Sequence, residues 1–75
     1  MLTYKFQYGL VKIFWNNILF ICYNAEQFTG LVSSENNGRY YIVVHCNTKE
    51  IKVELDTKKK WIAILKLLDK IIDQK

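Results

Sequence analysis

Two strand-length runs, "LVKIFW" at 10–15 and "ILFICY" at 18–23, are apolar on both faces and stand only two residues apart. Side chains alternate along a strand, so Leu10 and Phe14 oppose Val11, Ile13 and Trp15. In the second run Ile18, Phe20 and Cys22 oppose Leu19, Ile21 and Tyr23. A sheet built from such strands needs cover on both sides. One layer on a flat sheet leaves the other face wet, and a monomer seldom exposes so large an apolar face.

The rest of the chain supplies more strands and one helix. Residues 2–8 alternate Leu, Tyr, Phe and Tyr against Thr, Lys and Gln, the pattern of a half-buried strand. Asn16-Asn17 suits a two-residue hairpin turn, because asparagine tolerates a positive φ. Further strands are expected at 27–33, 39–46 and 50–55, with "NAE" at 24–26 breaking one run and "SENNG" at 34–38 marking a turn. Asp56 or Thr57 is a suitable N-cap for a helix over 57–73. At 100° per residue Trp61, Ile64, Leu65, Leu67, Leu68, Ile71 and Ile72 fall on one broad apolar face, of which Trp61, Leu65, Leu68 and Ile72 are expected to be buried, with Lys59, Lys66, Asp69, Lys70, Asp73 and Gln74 on the polar side. The expected fold is therefore α+β: one antiparallel sheet of five or six strands, with a C-terminal amphipathic helix packed on it, in a single domain spanning 1–75. The second apolar face is covered by curling into a roll or small barrel, by a homodimer through the sheet, or by a partner.

Composition makes such a core feasible. In 75 residues, 51% are hydrophobic and 15% aromatic, with no proline and three glycines, which argues against disorder and linkers. The 14-residue run from Leu10 to Tyr23 falls short of the ~20 residues a membrane span needs, and Lys12 and Asn16-Asn17 interrupt it. No membrane association and no cleaved leader are expected. Cys22 and Cys46 lie in apolar runs without CxxC spacing, which reads as two reduced core thiols in a cytoplasmic protein.

Catalytic chemistry finds little support in these residues. His45 and Cys46 are adjacent on a strand, so they point to opposite faces and form no dyad by adjacency. Glu50 and Glu54 share a strand face with Lys52 between them, the alternation of a solvated surface. No phosphate-cradling loop, nucleophile elbow or metal-ligand cluster is present in the sequence. The expectation is a non-enzyme with no cofactor and no metal.

Charge leaves two binding readings. The net charge of +4 is compatible with an acidic protein or with nucleic acid. "YKF" at 4–6, "VKIFW" at 11–15 and "RYY" at 39–41 interleave aromatics with cations, as sheets that stack single-stranded bases do. Lys58, Lys59 and Lys60 occupy the first turn of the helix, where the dipole disfavours positive charge. Free N–H groups and ammonium groups together suit an anion. Lys58, Lys59 and Lys60, joined by Arg39, are the candidate binding residues, and a protein partner with an acidic surface is the expected ligand. Small size and a lysine-, asparagine- and isoleucine-rich composition with one arginine suggest an inhibitor or accessory protein of a phage or mobile element. Nucleic-acid binding through the sheet aromatics and the lysine run is the alternative.

Overall fold

The computed structural model describes residues 1–73; Gln74 lies outside them. Six strands precede one helix: β1 (Leu2–Gln7), β2 (Leu10–Trp15), β3 (Ile18–Asn24), β4 (Phe28–Asn36), β5 (Arg39–Cys46), β6 (Glu50–Leu55) and α1 (Lys58–Asp73). All pairings are antiparallel between sequence neighbours.

The strands do not form one sheet. β1-β2-β3 make one three-stranded sheet and β4-β5-β6 a second. The expectation of a single five- or six-stranded sheet is corrected here. The chain leaves β3 through a short 3-10 turn, Ala25–Gln27, capped by the Asn24 side chain, which accepts from the Glu26 N–H at 2.9 Å. That turn redirects the backbone so that β4 starts a new sheet rather than pairing with β3.

Three two-residue turns set the registers. Tyr8-Gly9, Asn16-Asn17 and Asn37-Gly38 all have positive φ at both positions, as the hairpin turn matching strand twist requires. Tyr8 is therefore a turn residue rather than the last residue of β1. β4 runs on through Asn36, absorbing most of the expected turn at 34–38.

Two bulges re-aim side chains. Phe14 pairs with Leu19 but Ile13 pairs with Ile21, leaving Phe20 as the extra residue of β3. In β4, Thr29 is extra, and its hydroxyl donates to the His45 carbonyl at 3.1 Å. A bulge breaks the period of two, so Ile18, Phe20 and Cys22 do not share one face as plain alternation implied.

The core is assembled from both sheets and the helix. Val11 and Ile13 of β2, Ile21 and Tyr23 of β3, Ile42 and Val44 of β5, Leu55 of β6, and Ile64 and Leu68 of α1 are buried. β3 lies against β5 and β6, and α1 against β5 and β6. Lys60 near the helix start lies over Trp15, while Ile71 and Ile72 near its end line one groove with Val11 and Tyr4. The helix thus runs antiparallel to β2 and touches both sheets. Because it meets two sheets, its buried line is Ile64–Leu68; Trp61, Leu65 and Ile72 are only half-buried.

Candidate functional site

The lysine run is divided by its surroundings. Thr57 caps the helix, its hydroxyl oxygen accepting from the Lys60 N–H at 3.3 Å. The Lys60 ammonium lies 3.4 Å from the Asp56 carboxylate and 5.5 Å from the Trp15 ring centroid. Lys60 therefore belongs to the helix's own seating. Lys58 and Lys59 are exposed, and no ion pair is found for either among the described residues. Arg39 lies 3.9 Å from Glu54 in an exposed pair. The start of β5 does lie against the first helical turn: the Tyr40 and Trp61 rings are 5.2 Å apart, and the Trp61 indole reaches the Tyr41 carbonyl.

The aromatics near basic residues are scattered. Tyr4 and Phe6 share the face of Val11 and Ile13, whereas Lys5 points to the other face, opposite Lys12. Trp15 and Tyr40 pack beside the helix. Phe14 and Tyr41 lie on the outer faces of different sheets, with Lys52 4.8 Å from the Tyr41 ring. Burial chiefly, then the Glu35 carboxylate hydrogen-bonded to its hydroxyl, raises the Tyr40 pKa.

The feature that sequence reasoning missed is an apolar groove at the far end of the helix. It has a volume of about 380 Å³ and is lined by Tyr4, Phe6, Val11, Tyr23, Phe28, Ile71 and Ile72 with Ala25. Phe6 is 64% exposed and Tyr8 91%. The groove arises because β1 extends the inner face of the first sheet beyond the width one helix covers. At its floor Tyr23 packs against Phe28, ring centroids 5.5 Å apart. Burial, and secondarily the charge of Cys46, pushes the Tyr23 phenol above its usual range. The sequence signal was present in the alternation of residues 2–8; nothing in it said that the helix would leave this row uncovered.

The remaining polar residues offer no concentrated chemistry. His45 Nδ1 lies 3.4 Å from Glu50 on the outer face of the second sheet. Cys46 packs against the core, and Cys22 lies opposite Lys12 in the first sheet. Both thiols are free. Among the described residues no group of His, Cys, Asp and Glu could hold a metal, and no helix is long and apolar enough to cross a membrane.

Comparison with known proteins finds no matching family model, curated protein or solved structure.

Proposed function

We propose that this chain is a small non-enzymatic protein-binding module of the cytoplasm, needing no cofactor and acting as an inhibitor or accessory protein of a phage or mobile element. The observation that carries this reading is the groove between β1 and the end of α1, where Phe6, Ile71 and Ile72 meet solvent. Such apolar concavities accept an aromatic or aliphatic anchor from a partner. Lys58 and Lys59 sit at the opposite end of the helix, about 20 Å away at 1.5 Å per residue. A partner that engages both presents an apolar anchor and, one helix length away, acidic side chains. Arg39 contributes to that basic end from the start of β5.

The alternative reading, nucleic-acid binding, draws on one observation. The outer face of the first sheet places Lys5 beside Lys12 with Phe14 on the same face, and residues 1–25 contain no carboxylate side chain.

The test is co-purification from the source cell with three matched baits. Ile72→Glu places a charge in the groove; Lys58→Glu with Lys59→Glu reverses the basic end; Val32→Glu alters an exposed position on the outer face of the second sheet. The module reading expects a partner retained by the wild type and Val32→Glu, lost with Ile72→Glu, and weakened by the double lysine variant. A partner indifferent to Ile72→Glu removes the groove from the argument. Recovery of nucleic acid instead, with affinity falling steeply as salt rises, establishes the alternative.

A further inference from the structure

β1 is an open edge. It pairs with β2 alone among the described residues, and Thr3 through Gln7 are all exposed. Its inner row, Leu2, Tyr4 and Phe6, is uncharged and apolar, and it contains no proline. Its register with β2 is unbroken by any bulge. β4, an edge strand of the other sheet, differs in register and in its inner row: it carries the Thr29 bulge, and Ser33 and Glu35 lie in that row. Bulges and inward charges are devices that blunt an edge against pairing. β1 carries only the outward Lys5.

We infer that β1 pairs antiparallel with β1 of a second copy of this chain, about a two-fold axis perpendicular to the sheet. The strand is complementary to itself. Such an axis keeps the same face uppermost in both copies, so the two apolar rows join. Two registers pair five residues of β1. In one, Tyr4 meets the partner's Tyr4 on the axis, Leu2 meets the partner's Phe6, and Lys5 meets the partner's Thr3. In the other, Lys5 meets the partner's Lys5. Like charges directly opposite are destabilising, and Lys12 already faces Lys5 within each copy. The Tyr4-centred register is therefore the one formed.

The added strand lies alongside β1 at the usual spacing of about 4.8 Å. It extends the floor of the groove instead of filling it, and the product is a six-stranded sheet shared by two copies. This inference is independent of the partner proposed above, because Ile72, the residue that tests that partner, lies on the helix and not on the paired edge.

Cysteine cross-linking tests the register in a Cys22→Ser background. Directly opposite Cα atoms in an antiparallel pair are about 4.5–5.5 Å apart, within the span a disulfide bridges. Tyr4→Cys and Lys5→Cys are both solvent-accessible substitutions, so random collision affects them alike. The expected result is a covalent dimer of Tyr4→Cys forming at least ~10-fold faster than that of Lys5→Cys. Light scattering of the wild type between about 10 μM and 1 mM should show mass rising towards two chains. Equal rates for the two variants, faster Lys5→Cys cross-linking, or a monomer throughout this range would each overturn the inference.

Discussion

The Trp61 indole N–H donates to the Tyr41 carbonyl oxygen across 3.1 Å, tying the first turn of α1 to the central strand of the second sheet. The same indole packs on Tyr40. Trp61→Phe retains the ring contact and loses the hydrogen bond, so it should cost about 1 kcal/mol. Trp61→Ala removes both and should cost about 2–4 kcal/mol. Urea denaturation of the wild type and both variants separates the contributions; a Trp61→Phe midpoint equal to that of the wild type would show that the bond adds nothing, and equal midpoints for the two variants that the ring contact adds nothing.

Leu68 is fully buried between the sheets, whereas Ile72 lines the open groove. Leu68→Ala should destabilise by about 2–4 kcal/mol, a large share of the total for so small a domain. Ile72→Ala should cost under about 1.5 kcal/mol, because its site stays accessible to water. Denaturant midpoints ranked the other way would contradict the helix placement.

For the lysine run, the two parts should behave oppositely. Lys58→Gln with Lys59→Gln removes two cations from the positive end of the helix dipole and should leave stability unchanged or raised by about 0.5 kcal/mol. Lys60→Gln loses its ion pair with Asp56 and its contact over Trp15, and should cost about 0.5–1 kcal/mol. Thermal melting of both variants at low and high salt checks this, with the difference between them shrinking as salt screens the charges.

Tyr23 should make the fold alkali-sensitive. Its phenol titrates higher in the folded chain than the ordinary value of 10.0, mainly because it is buried. The folded state thus holds the proton more tightly than the unfolded state. That contribution is complete below the unfolded value and is lost as pH rises through the folded one. Stability should fall above about pH 10. Tyr23→Phe should fall less steeply, with Tyr40, shifted in the same direction, still contributing. Parallel curves for the two proteins would refute the assignment.

Much of the local structure that depends on neighbours in sequence was legible, although Tyr8 sits in a turn that its aromatic side chain does not announce. The double-positive φ at Asn16-Asn17 follows from asparagine chemistry, and the Thr57 cap from its place before the helix. What depended on distant packing was not legible. "NAE" at 24–26 announces a break, but only the packing of β3 against β5 and β6 turns it into a boundary between sheets. The Phe20 bulge shifts the face pattern of β3 by one residue, which no count of alternation reveals. The buried line of the helix was placed some degrees away from Ile64, since the sequence gives the width of an apolar stripe and not the two surfaces that contact it. The groove is the remainder of that mismatch: a property of how much sheet one helix covers.

The order of elements along the chain has a consequence for biosynthesis. Within each sheet every strand pairs with its sequence neighbour, so each hairpin can close without waiting for the rest of the chain. Ile64 and Leu68 are made after all six strands. Until those two residues dock, Val11, Ile13, Ile21, Ile42 and Val44 have no helix to cover them, and the chain presents two partly wet meanders to whatever it meets. A chain terminated before residue 64 would remain in that state. Because the helix is the last element of the chain, a chain ending before residue 64 should be far less soluble than the full chain expressed at the same level, although it contains every strand.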